Sequence, residues 1–234
     1  NVVINPQAPA GWKITPGQSI PTTVKVTSNG IEGLSIVVEH NLIVKHPEDV
    51  PNSGSKIPAN PEKKPGDGTP KVEINYNSLH KTATRTIVIH DPHTGDQVNV
   101  QNIKFDRTAT IDDATGDVTY SDWTVVPDSL QSKFTNVDYP TISGYALNAA
   151  VGNHGEQILT QDQINNWTDP QIEVSYIPQA QTGKISYVDG NGNEISHDDL
   201  TGATDEQVPI RVNIPANWKL VAGQNIPAAV TATS

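Results

Sequence analysis

VVINPQAPAGWKITPGQSIPTTVKVTS, residues 2–28, is the stretch that decides how the chain is read. VPIRVNIPANWKLVAGQNIPAAVTATS, residues 208–234, repeats it without a gap at an offset of 206 residues. The copies share Ile4/Ile210, Pro9/Pro215, Trp12/Trp218, Lys13/Lys219, Gly17/Gly223, Gln18/Gln224, Ile20/Ile226, Pro21/Pro227, Val24/Val230 and Ser28/Ser234. A match of this kind is the signature of a tandem array, so the polypeptide reads as a window opening midway through one repeat and closing at the same point of the next. The period is long for a solenoid unit, and each period is expected to hold two small domains and a linker. Arrays of this kind suit a stalk or an adhesin.

Working outward, composition narrows the class. Eighteen prolines and seventeen glycines against two phenylalanines in 234 residues imply many short strands and turns. The formal charge of −11 argues against nucleic acid as a partner, since phosphate recognition needs clustered Lys and Arg. Without cysteine there is no disulfide, thiolate metal site or cysteine nucleophile. No apolar run is long enough to span a bilayer. Threonine-rich alternating strands lacking cysteine fit an exported Gram-positive surface protein.

Residues 1–45 read as the back half of a small domain, with Leu34 to His40 dense enough in β-branched residues for a central strand. Residues 46–80 form a linker. Its prolines Pro47, Pro51, Pro58, Pro61, Pro65 and Pro70 predict an extended, semi-rigid spacer over 46–70, with a short strand at 72–76. A larger domain occupies 81–178. Its two hairpins turn at Asp91-Pro92-His93-Thr94-Gly95-Asp96 and Asp112-Asp113-Ala114-Thr115-Gly116-Asp117, where an acidic side chain can accept from turn N–H groups and Gly takes the left-handed position. Thr160 and Gln163 form a capping box, with Leu159 and Ile164 as a staple, and Asp169-Pro170 ends that helix within about two turns. A second short helix is possible at 127–134. Residues 179–234 read as the front half of the next small domain.

Lys81-Thr82-Ala83-Thr84-Arg85-Thr86-Ile87, Phe105-Asp106-Arg107-Thr108-Ala109-Thr110, the run from Asp113 to Trp123, Pro140-Thr141-Ile142-Ser143-Gly144-Tyr145 and Val174-Ser175-Tyr176-Ile177-Pro178 together resemble the larger domain of the mucus-binding repeats of lactobacillus-like surface adhesins. The segment from Gly183 through Asp189 resembles the smaller, mucin-binding-type domain of the same repeat. The resemblance implies an α+β, β-rich fold of tandem ubiquitin-like β-grasp domains in an elongated rod. It implies mucin glycoproteins or their glycans as partners, with immunoglobulins as further ones, and an extracellular, cell-wall-anchored location. The alternative is a structural spacer that holds a distal tip away from the wall. The long spacer and the mid-domain cut depart from the family pattern.

Candidate sites are few. In Asp189-Gly190-Asn191-Gly192-Asn193, oxygens at Asp189, Asn191 and Asn193 take the spacing of a calcium loop, but Glu194 replaces the loop glycine and Leu200 the closing glutamate. A plain hairpin turn stands beside a surface calcium ion, and no other cofactor is implied. Asp113, Asp122, Asp128, Glu156 and Asp162 would have to supply a glycosidase pair, yet all fall in turns or helix starts, so the chain reads as a non-enzyme. His80, His90 and His93 lack metal spacing and read as solvated. Among aromatics, Trp123, Tyr139, Tyr145 and Trp167 could present a sugar platform. Twelve aromatics in 234 residues leave most of them for cores, Trp12 and Trp218 included, and Trp167 at a helix end is the one best placed for exposure. The cut domains, each with an unpaired edge, predict head-to-tail self-association.

Overall fold

The computed structural model describes residues 1–31, 33–58, 73–127, 131–148 and 152–234. Strand takes up 45% of it and helix 6%, which makes the chain β-rich. It divides into two compact units: Asn1–Ala83 with Asn102–Lys133 and Ile158–Thr168, and Thr84–Gln101 with Phe134–Gln157 and Asp169–Ser234.

In the first unit, Val118–Tyr120, Ala109–Asp112 and Leu42–Lys45 form an antiparallel sheet in that order. Ala109 and Ile111 point inward and alternate with half-exposed Thr110 and Asp112, the period of two that one covered face demands. They join Val50, Ile74 and Leu79 in the core, with Ile43, Ile57 and Val118 packed against it. The turn between the first two strands is built as its residues predict. Asp112 Oδ1 accepts from the N–H groups of Ala114 and Thr115, and Gly116 takes φ +81°. The helix Gln161–Asn165 begins on its capping box, with Thr160 Oγ1 accepting from Gln163 N–H and Gln163 Oε1 from Thr160 N–H.

Two expectations change here. The proline content of 46–70 predicts an extended spacer, but the described part of that stretch is folded: Pro47–Asp49 makes a 3-10 turn, Val50 is fully buried, and Lys56–Pro58 pairs with Glu73–Asn75. The prolines permit this because Pro47 begins its turn, where no amide N–H is needed, and Pro58 ends a two-stranded ladder. Residues 59–72 lie outside the described residues. Of the strand expected from Leu34 to His40 only Val38–His40 forms, and just beyond it the chain changes partner. Val38–His40 pairs with Trp12–Ile14, Leu42–Lys45 pairs with Ala109–Asp112, and the Asn41 carbonyl between them accepts from Asp113 N–H.

In the second unit, residues 84–91 lie between 95–101 and 171–178, with Tyr145–Asn148 outside the last. Thr86–Ile89 runs parallel to 171–174, whereas Tyr145–Asn148 is antiparallel. Ile87, Val88 and Ile89 are all buried, the unbroken apolar run of a strand covered on both faces. Ile87, Ile89, Ile172 and Val174 form the core, with Val137, Tyr139 and Tyr176 against it. Arg85 is the largest fully buried side chain, 1% exposed. Its guanidinium donates to the carbonyls of Asn153, Gly155 and Thr135 and to Gln101 Oε1, and stands 4.8 Å over the Phe134 ring. The possible helix at 127–134 is not formed in its described part: residues 128–130 lie outside the described residues, and Phe134 bridges to Gln157 instead. A hairpin of Ala180–Val188 with Glu194–Ala203, and a short pair of Gln207–Pro209 with Ala229–Thr231, complete the unit.

A cationic groove as the candidate functional site

A groove of about 730 Å³ opens in the first unit between the roots of His80–Asp91 and Gly95–Asp106, the short helix Tyr76–Leu79 and the end of Gln161–Asn165. Arg107 is central to it. Its Nε donates to the Ser78 carbonyl at 2.7 Å, and its guanidinium carbon lies 4.0 Å from the Tyr120 ring centre and 4.2 Å from that of Trp123. A guanidinium held on two rings keeps its planar donor fork at little further conformational cost, and each ring adds about 0.5–2 kcal/mol of attraction. Burial pulls the Arg107 guanidinium below its ordinary value, and it remains a cation at neutral pH.

The rings are fixed by their own bonds. Trp123 is 6% exposed; its N–H donates to Gln161 Oε1, its carbonyl accepts from Gln161 Nε2, and its indole Nε1 donates to Asn165 Oδ1. The capped helix therefore sets the angle of the wall against which Arg107 rests. Lys81 Nζ donates to the Asn165 carbonyl at the C-terminal end of that helix, where a cation is favoured. Lys104 also lines the groove and is exposed. Its one lining carboxylate, Asp106, is engaged by His80 Nδ1 at 2.7 Å, while His80 Nε2 faces the carbonyls of Pro47 and Val50 and its ring stacks on Tyr76 at 4.2 Å. His80, expected to be solvated, is thus half-buried and fully partnered. Within a chain of charge −11, three cations converge on one groove whose single acid is already paired.

An anion entering it meets a partly dehydrated setting. Opposite charges 4 Å apart attract by about 4 kcal/mol at an effective dielectric near 20, against about 1 kcal/mol in bulk water.

Among the residues singled out from the sequence, the groove holds Trp123 and His80. Tyr139 packs against the second core, lies 4.3 Å from the His154 ring and has a buried hydroxyl, and burial raises its phenol. Trp167 is half-buried just beyond the helix Gln161–Asn165 and does not line the groove. Tyr145 is half-buried and donates its hydroxyl to Asp205. Trp12 and Trp218, read as core, are 37% and 51% exposed. Asp189 forms a closed turn: Oδ1 accepts from Asn191 and Asn193 N–H, and Oδ2 from Asn193 Nδ2, so the oxygens that would face an ion face amide donors. Asp122, Glu156 and Asp162 are exposed, Asp113 lies 3.5 Å from Asn41 Nδ2, and Asp128 lies outside the described residues. None of these lines the groove. Arg107 was missed, though a signal for it existed: the turn at Asp112–Asp117 sets Ala109 opposite Tyr120, which carries Arg107 to the level of Ser121–Trp123.

Residues 74–179, which include every groove residue, match the family model of the Muc B2-like domain. No curated protein sequence matches the chain. Among solved structures, it is similar to a type 2 repeat of the mucus binding protein MUB from Lactobacillus reuteri, at 17% identity and a TM-score of 0.31, over 72% of this chain and 76% of that one.

Proposed function

We propose that the chain is a non-enzymatic repeat of a bacterial surface adhesin, displayed outside the cell on the wall, that binds host mucin glycans in the Arg107 groove. The observation that carries this is the guanidinium held between Tyr120 and Trp123 with Lys81 and Lys104 beside it. Carboxylate- or sulfate-bearing sugars are the ligands that such a groove favours, since they bring an anion to its guanidinium and ammonium donors. Single contacts of this sort are weak, and repetition along an array raises their effective concentration. No helix of the described residues is long and apolar enough to cross a membrane.

The β-grasp reading is kept for residues 81–178, with 1–45 and 179–234 as parts of the smaller domain type. It is supported by the parallel pairing of 86–89 with 171–174, the second of which follows the helix Gln161–Asn165 in the chain.

The test is binding of the 234-residue chain to immobilised mucin before and after enzymatic removal of acidic sugars and sulfate, with immunoglobulin G as a parallel surface. Binding that falls with those groups, and falls at least tenfold in Arg107→Ala, is expected. Equal silence on every surface would favour the spacer reading instead, and retention on immunoglobulin alone would move the site elsewhere.

A further inference from the structure

His80 and Asp106 face each other in the lining of the Arg107 groove, with Nδ1 2.7 Å from Asp106 Oδ1. On the other side of the ring, Nε2 lies 3.1 Å from the carbonyl oxygens of both Pro47 and Val50. Carbonyl oxygens only accept, so Nε2 carries a hydrogen. A neutral imidazole has a single N–H, which leaves Nδ1 as a bare lone pair aimed at a carboxylate. The arrangement closes only with a second proton, held between Nδ1 and Oδ1. Whichever atom holds that proton, the pair has no net charge with it and one negative charge without it.

The surroundings hold the ring in place. Tyr76 stacks on it at 4.2 Å, and the helix Tyr76–Leu79 carries no charged residue. The turn Pro47–Asp49 brings Glu48 and Asp49, both exposed, and Asp49 accepts from His46 N–H. From the two strands come Lys81, Lys104 and Asp106, with Arg107 just beyond. Side-chain exposure of 18% for His80 and 26% for Asp106 keeps the pair from full screening by salt. Of the seven histidines, only His80 lines the groove.

We infer that this pair is an acid-operated charge switch for the groove, an inference that rests on reading the groove as a glycan site. With its proton in place, the lining presents Lys81, Lys104 and Arg107 with no net charge against them, and it takes an anionic sugar. Without that proton, the Asp106 carboxylate joins the lining as an anion and repels the ligand. Histidine suits the task, as the side chain whose charge ordinarily changes between about pH 5 and 8. Acid therefore tightens binding, and a neutral or alkaline medium loosens it.

The experiment measures binding of the 234-residue chain to immobilised acidic mucin by surface plasmon resonance, from about pH 5.5 to about pH 8 at fixed salt. Sulfate esters and sugar carboxylates keep their charge over that range. Affinity is expected to fall roughly fivefold as pH rises, from the repulsion of one added anion beside the site. His80→Gln should bind weakly at every pH, since Asp106 then stays charged. Asp106→Asn should bind tightly at every pH, because the asparagine amide can donate to Nδ1 of a neutral ring and no shared proton is needed. A pair with a purely structural role would instead weaken binding in both variants. That result, or wild-type affinity unchanged across the range, would overturn the inference and leave the glycan reading standing. Silence on mucin at every pH would overturn both.

Discussion

Two arginines in this chain show how surroundings decide what a guanidinium does. Arg85 is closed in by three carbonyls and a glutamine oxygen, so replacing it by Met strands those acceptors in the interior. Each buried acceptor left unpaired costs about 1–3 kcal/mol, partly relieved by relaxation, and we expect Arg85→Met to lower unfolding stability by about 3–5 kcal/mol in urea titrations. Arg85→Lys should recover only part of that, because an ammonium cannot span the same four partners. Arg107 uses its fork outward instead, so Arg107→Ala should cost less stability and more ligand. Both arginines stood in plain view in the sequence, within segments that resemble the mucus-binding repeats, but no periodicity separates them. Each side chain's surroundings come from residues far along the chain, Asn153 and Gly155 for Arg85, Ser78 and Trp123 for Arg107.

Among elements, hairpins were the most legible, since an acid and a glycine at fixed spacing are enough to specify the turn. The acidic turns at Asp91, Asp112 and Asp189 all form as their chemistry requires. Strand partners were less legible: the β-branched run at 34–40 signals pairing, but nothing in it announces the change of partner at Asn41. A close approach hidden from the sequence is that of Gly11, whose added Cβ would lie 2.6 Å from Ala114 Cα and Asp113 O at φ +79°. Gly11→Ala should therefore destabilise by well over the roughly 1 kcal/mol expected of Gly17→Ala, which has the same backbone hand but open space around it. Paired denaturation curves measure the difference. The strand His80–Asp91 also carries a pH response. His90 Nδ1 meets Asp96 and Nε2 meets Glu173, and those bonds, the Asp96 one first, raise its pKa above the ordinary 6.5. That contribution is complete below pH 6.5 and is lost as pH rises through the raised value. Glu194, drawn down to about 2 chiefly by its bond to Lys184, works the other way, with stability present above its ordinary 4.5 and lost as pH falls toward 2. Melting temperature should thus peak between about pH 4.5 and 6.5, and His90→Gln should flatten its alkaline limb.

For the whole molecule, the internal repeat and the charge balance matter together. The repeat was legible at once and folds twice in one register. A charge of −11 would repel acidic glycans, so a functional groove must gather its cations locally, and Lys81, Lys104 and Arg107 do so. That clustering is scattered over 27 residues of sequence and is invisible to any count of basic runs. The most direct test is a nitrogen-15 NMR titration of the chain with an acidic mucin-type oligosaccharide, following the Trp123 indole N–H and the Arg107 Nε–H. Saturable shifts at both, lost in Arg107→Ala with the remaining spectrum intact, are the predicted result. Shifts centred on Trp167 or Tyr139 with those two signals unmoved would contradict the account.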